Sequence, residues 1–323
     1  MSRNSSRRHY PASFTIWTVG AKVKGKVGRS SKVLELLRAD KLARVPWLVH
    51  GFSTRQGGVS RAYGGGALNL GFTKQDTRAA VERNRAAFLK ALGAVDKRGR
   101  PWPLVTLRQV HSAVIHYVAR PFKDRPAGDG LITDQPGLLL AVQTADCQPV
   151  VAVDPEHRAV GVFHAGWRGT LARIVEKGVG EMRRRFQSDP RQMAAAIGPG
   201  IHKCCYEVSE ELRDQFESQF AYAGELFETV FESDDVRERY PLLFLTARAP
   251  GHHDLGRKPH LDLPEANRRQ LLDAGLLAEK IDVSPLCTAC EPERFFSYRA
   301  SGETGRLMGV VGIKPDTRRK PKA

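Results

Sequence analysis

LLLAVQTADCQPVVAVDPEHRAVGVFHAGW, residues 138–167, holds the two longest apolar runs of the chain, near 138–153 and 159–163, interrupted by Asp146 and Gln148. Each has the length of a strand, and neither approaches the roughly 20 apolar residues a membrane span needs. They read as core strands of a soluble protein. Cys147 ends the run from Leu138 to Ala145, and Val160–Phe163 leads straight into His164, so two soft metal ligands stand where buried strands stop. Strand ends are where α/β proteins place their chemistry.

Outward from this stretch, strand-like segments lie at 47–52, 104–107, 113–119, 194–197, 281–283 and 307–313, while 77–92, 170–186, 208–219 and 264–274 have helical spacing and composition. Interspersed strands and helices give an α/β (or α+β) fold class. No repeat and no Gly/Ser- or Pro-rich linker divides the chain between 45 and 313, so one catalytic domain over 41–314 is expected. It is flanked by a basic, poorly ordered N-terminal extension (1–40) and a basic tail (315–323). Asp262-Leu263-Pro264-Glu265 reads as a helix cap, a first-turn proline and a first-turn acid. The stretch 221–259, with acidic clusters and His252-His253, reads as a surface insertion with solvated histidines.

A net charge of +16 suggests a nucleic-acid binder until its placement is considered. Residues 1–31 carry +7 and residues 314–323 carry +4, which leaves +5 for residues 32–313. That mild excess suits a small anion such as phosphate, and nucleic acid is not the expected partner. Phe14–Val19 is shorter than a secretory h-region. An odd count of five cysteines argues against a fully paired disulfide framework. A reducing cytoplasm is the expected setting. Cys204-Cys205 and Cys287-x-x-Cys290 contain a chelating spacing, but adjacent cysteines rarely serve one tetrahedral metal, so these are expected to be ordinary buried thiols.

His111, Cys147 and His164 form a possible set of two imidazoles and one thiolate with a vacant fourth position, as a catalytic zinc requires. Their separations of 36 and 17 residues are too long for a zinc finger. Against this stands the ease of stringing any two histidines and a cysteine into a site. A hydroxide at such a metal needs a carboxylate proton carrier that is not itself a ligand. Asp146 and Asp129 are the candidates. Asp146 needs a turn or bulge to face the same pocket as Cys147; otherwise it is structural, and Asp129 in GDG otherwise reads as a turn residue. For phosphate, guanidinium groups beside glycine loops are the natural holders. Arg55 in STRQGG is the first choice and Arg168 the second, with Ser53 and Asn69 as further substrate contacts. Trp167, Phe295, Phe296 and Tyr298 read as packing, and His202 and Tyr206 as edges of the site.

The motifs HGFSTRQGGVS (50–60), NLGF (69–72), RQVH (108–111), GDGLITD (128–134), TADC (144–147), HAGWRG (164–169), AIGPGIHKCCYEV (196–208), HLDLPEANRRQL (260–271) and FFSYR (295–299) occur in unbroken order. Together they resemble the YfiH-like, laccase-domain family of purine nucleoside enzymes. The resemblance implies mixed central sheets flanked by helices and zinc on His111, Cys147 and His164. It also implies phosphorolysis of adenosine, inosine, guanosine and methylthioadenosine, and deamination of adenosine. A monomer is the default expectation. Three rival readings remain open. Copper-dependent phenol oxidation fits His₂Cys ligation, and Cu²⁺ capture in vitro would mimic it, yet the chain has no His-x-His pair for a multicopper cluster. A Cys147 nucleophile paired with histidine would give a hydrolase acting on cell-wall precursors. A nucleic-acid module working through its tails would bind with steep salt dependence.

Overall fold

The computed structural model describes residues 17–23, 34–230 and 258–315. Fourteen of the fifteen strands among them fall into two six-stranded mixed sheets and one short ribbon. The first sheet has the order β1 (Trp17–Val23), β2 (Leu34–Ala39), β3 (Leu48–Ser53), β15 (Leu307–Ile313), β8 (Leu139–Thr144) and β5 (Leu104–Val105). The second runs β14 (Ile281–Val283), β11 (Ala194–Ile197), β9 (Gln148–Asp154), β10 (Ala159–Ala165), β7 (Gly130–Thr133) and β6 (Ile115–Tyr117). β4 (Gln56–Ser60) stands outside both sheets, and β12 (Phe227–Val230) pairs with β13 (Lys258–Leu261).

The apolar runs are explained by burial on both strand faces. Leu140 and Val142 of β8, Val151 and Val153 of β9, Val160 and Val162 of β10, and Val311 of β15 meet in one cluster between the two sheets. The alternate residues point the other way. Leu139, Ala141, Met308 and Val310 pack with Phe88, Leu89 and Leu92 of α2 (Arg78–Leu92). Val150, Ala152, Phe163 and Ile197 pack with Ile174, Val179 and Met182 of α4 (Ile174–Phe186). The result is four layers, helix on sheet on sheet on helix, with apolar contact across every boundary.

Local signals behave as their chemistry dictates. Thr77 caps α2 by accepting from the Ala80 amide, and Gly93 ends it at φ 75°. Asp262 caps α6 (Leu263–Asp273) by accepting from the Glu265 amide at 3.1 Å. The helix expected over 170–186 is broken in two, because Arg173 takes a left-handed φ of 59° between α3 (Trp167–Leu171) and α4. Short α1 (Asp40–Ala43) links β2 to β3, and α5 (Glu210–Gln219) packs over β13 in a small satellite cluster.

The boundary at residue 40 lies too late in the chain. Leu34, Leu36, Leu37 and Ala39 are buried, and Leu36 and Leu37 pair with Ser53 and Phe52. The first sheet therefore reaches into the stretch read as an extension. Within 221–259, Leu226 is buried directly before β12, whose first residue pairs with the buried Leu261 of β13. The His252-His253 pair lies outside the described residues.

Candidate metal centre

Two connections pass from the first sheet to the second, and each carries one of the three ligands. Residues 145–147 link β8 to β9, and the loop between β5 and β6 holds His111. β9 and β10 are antiparallel with His164 opposite Pro149, so the end of β10 meets the start of β9. Asp146 turns the first crossing with a φ of 89°, which supplies the turn that Cys147 requires. Nearby, His111 adopts φ 59°. The ligand atoms of His111, Cys147 and His164 consequently lie within 4.8 Å of one another, with the imidazole centroids 4.9 Å apart.

The strained loop at His111 is held by Asp129. This fully buried carboxylate accepts from the amides of Val110 (3.2 Å), His111 (3.0 Å) and Ser112 (2.6 Å) and from Ser112 Oγ (2.8 Å). His164 Nδ1 donates to it at 2.9 Å, leaving Nε2 for the thiol. Burial pushes the Asp129 carboxyl up, but these donors outweigh it and hold its pKa at about 2. Asp129 thus fixes the tautomer of one histidine and the backbone of the other, as acidic partners of metal-bound histidines do. It does not line the cavity, so Asp129 meets whatever binds there only through His164 and the His111 loop.

Cys147 and His164 are electrostatically matched. Burial favours the neutral thiol, yet the charge of His164 and hydrogen bonds from His111 and His164 bring the Cys147 pKa down to about 6. Burial likewise opposes the imidazolium, and the Cys147 thiolate with Asp129 raises His164 to about 9. The donor set is chemically that of a zinc or copper ligand sphere. Gly166 confirms the tightness of fit: a Cβ there would lie 2.7 Å from Cys147 Sγ and 3.2 Å from His111 Cδ2. The main chain closes directly on the ligand sulfur and lies close to the His111 ring, and His111 is otherwise exposed.

A cavity of about 680 Å³ opens over the three ligands. Arg108, Arg125, Arg168, Arg299 and Arg306 stand around it, and Trp167, Tyr206 and Tyr298 form aromatic wall. Asp146 is the one carboxylate among the described residues lining it. Its oxygens accept from Thr288 Oγ1 and the Arg299 amide, both at 2.7 Å.

Several expected contacts lie elsewhere. Arg55 donates to the carbonyls of Pro292 (2.6 Å) and Tyr63 (2.7 Å) and stacks on Phe296, so its guanidinium ties loops together away from the cavity. Ser53 Oγ accepts from the Met308 amide at 2.9 Å inside the first sheet. Asn69 is fully buried, bonded to Gly71, Asp76 and the Arg306 amide, and acts only by supporting the loop of Arg306. Arg168 is exposed on the cavity rim, its guanidinium stacked on Trp167 with no side-chain hydrogen bond among the described residues. Tyr298, read as packing, is 63% exposed on the cavity wall, whereas Phe295 and Phe296 are core. Tyr206 does edge the site, and His202 is buried beside it with Nε2 unpartnered. Arg299 and Arg306 were missed, although FFSYR marked the first. The four remaining cysteines are not dispersed in the core: they cluster, with Cys204 and Cys290 exposed.

A sandwich of two mixed sheets between helices, with an open three-ligand cluster under an arginine-rimmed cavity, is the architecture of an enzyme. The family described as multi-copper polyphenol oxidoreductase laccase matches residues 49–314. A purine nucleoside phosphorylase of Deinococcus radiodurans is 39% identical over 284 residues, 87% of this chain and 93% of that protein. The adenosine deaminase RL5, from an unknown prokaryotic organism, is 35% identical over 272 residues, 80% of this chain and 92% of that one. The crystal structure of the hypothetical protein YfiH of Bacillus licheniformis, 33% identical, matches with a TM-score of 0.71, over 86% of this chain and 96% of its own. The chain belongs to this laccase-domain, YfiH-like family.

Proposed function

We propose that this chain is a zinc enzyme of purine nucleosides. It would phosphorolyse adenosine, inosine, guanosine and methylthioadenosine and deaminate adenosine hydrolytically. One observation carries the reading: a His₂Cys cluster with an exposed side, at the floor of a cavity ringed by five arginines. The names of the relatives agree with it. Zinc on His111, Cys147 and His164 supplies Lewis acidity and a source of nucleophilic water at neutral pH. Asp129 orients the imidazole of His164 and fixes the backbone of His111. Arg168 and its neighbours hold phosphate by charge and fork geometry. Trp167, Tyr206 and Tyr298 sandwich the purine and exclude water. Asp146 is the group placed to hold or move a proton at the purine. The cavity volume falls in the range of small-molecule sites.

In this reading the enzyme is a monomer. No described helix is long and apolar enough to cross a membrane. None of the five cysteines is in a disulfide, and a cytoplasmic setting is part of the reading. A multicopper oxidase is not favoured, because only one of the two potential metal clusters among the described residues contains histidine.

The test is metal analysis beside chromatography of adenosine incubated with and without phosphate, for wild type and Cys147→Ala. Free adenine only with phosphate, inosine without it, and loss of both together with zinc in the variant are expected. The matched Cys147–His164 pair sustains one second reading, a thiol hydrolase acting on cell-wall precursors. Absent metal and a rapidly alkylated Cys147 would replace the zinc reading with that one.

A further inference from the structure

Four cysteines that the catalytic cavity does not use converge from two distant segments. Cys204 and Cys205 follow β11, and Cys287 and Cys290 follow β14. These strands are parallel neighbours, with Ala195, Ala196 and Ile197 opposite Ile281, Asp282 and Val283, so both segments leave the sheet side by side in the same direction. The pairing continues beyond the strands. Ser284 donates its amide to Ile197 O at 2.9 Å, Gly200 bridges to Cys287, and the Thr288 amide donates to Gly200 O at 2.9 Å. A tight turn, in which the Cys205 and Tyr206 amides both donate to His202 O, then brings adjacent side chains to one place.

Cys290 Sγ lies 3.4 Å from Cys204 Sγ and 3.3 Å from Cys205 Sγ. All four sulfurs lie within 4.8 Å of one another. Zinc–sulfur bonds of about 2.3 Å in a tetrahedron set sulfur–sulfur edges of about 3.8 Å, inside this span. Cys290 is also equidistant from two partners, as a shared central ion arranges and a disulfide pair does not. The objection that neighbouring cysteines diverge is removed by the turn at 202–206.

We propose that Cys204, Cys205, Cys287 and Cys290 form a second metal site, a tetrathiolate holding one zinc ion, separate from the His111–Cys147–His164 centre. Four protein ligands leave no open position, so the site is structural. It joins the two segments that grip the turn at Asp146: the Ile201 amide donates to Asp146 O at 2.7 Å, while Thr288 and the Arg299 amide take its carboxylate. The same segments bring Tyr206 and Arg299 to the cavity. The second ion would therefore position the residue preceding Cys147 without touching substrate.

The experiment counts zinc in full-length protein purified under reducing conditions without chelator. Two ions per chain are expected in wild type, one in Cys147→Ala and one in Cys204→Ser/Cys290→Ser. Cobalt loaded into Cys147→Ala should give the intense thiolate charge-transfer bands of a tetrathiolate, and its four remaining cysteines should resist alkylation until the metal is stripped. One zinc in wild type with none in Cys147→Ala overturns the proposal, as do disulfides among the four cysteines or free-thiol alkylation rates in zinc-loaded protein. The Cys147→Ala measurements decide the matter even if the double variant fails to fold.

Discussion

Gly166→Ala is the sharpest perturbation of the proposed centre, because the backbone there is ordinary and only space is at stake. Gly166 has φ −80° and ψ 173°, angles that alanine adopts without strain. Its new Cβ would lie 2.7 Å from Cys147 Sγ, whereas nonbonded contact settles near about 3.7 Å, so roughly 1 Å must be found. Turning Cys147 aside removes the thiolate from the two imidazoles. Moving residue 166 instead drags His164, two residues earlier and anchored to Asp129. Metal–ligand distances tolerate about 0.2 Å, so either relief exceeds what the site can absorb. Zinc affinity should fall at least about 100-fold, the upper end of what loss of a supporting residue costs. Overpacking adds about 1–3 kcal/mol of destabilisation to the metal-free fold, a fall of roughly 2–10 °C in Tm. Chelator competition gives the affinity and thermal unfolding the stability. Gly180→Ala is the control: nothing lies within 4 Å of its Cβ position on the exposed side of α4, and about 1 kcal/mol of stabilisation is expected there. Wild-type zinc affinity in Gly166→Ala would refute the placement of Cys147 against this backbone.

Asp129→Asn cannot satisfy five donors and presents an amide N–H₂ to backbone N–H groups; zinc affinity should drop about 10–100-fold, read by the same chelator competition. Arg168→Ala should raise the KM for phosphate about tenfold or more with unchanged Tm. Arg55→Ala should cost about 1.5–3 kcal/mol of stability through its lost carbonyl bonds and leave that KM unmoved, as steady-state kinetics and denaturant unfolding will show. His50 is held neutral by burial and by Arg38, with its pKa lowered to about 4. The unfolded imidazole takes up a proton near pH 6.5, so the unfolded state binds more protons between about pH 6.5 and 4, and stability falls by about 3 kcal/mol as pH drops through that window. His50→Gln, which keeps an acceptor for the Ala39 amide, should flatten this acid limb in unfolding curves taken across the window; an unchanged slope would exclude His50 as its source.

The strands of the sandwich were legible because β8, β9, β10 and β15 bury both faces, which writes a nearly unbroken apolar run. LELLRA, residues 34–39, carries two charges and follows a basic tail, and only its pairing with Phe52 and Ser53 reveals it as β2. His111, Cys147 and His164 could be read from ligand type and strand ends. Arg55 could not be judged, since an arginine beside glycines reads the same whether it grips an anion or two carbonyls. Tyr298 reads as packing, and Arg299 and Arg306 are not singled out, because all three reach the cavity from the last strand's approach, far along the chain from Cys147. The sulfur cluster likewise depends on β11 lying parallel to β14, a pairing that no local pattern encodes.

The two crossings from the first sheet to the second bear on how the protein comes together. His111 and Cys147 each ride on a connection leaving the first sheet for the second, and His164 belongs to the second alone. Their anchors all lie on the second sheet: Cys147 directly precedes β9, and Asp129, directly before β7, holds the amide of His111 and the ring of His164. If the three donors take an ion, its loading would report that the second sheet has assembled, and its loss that the ends of β7, β9 and β10 have begun to part.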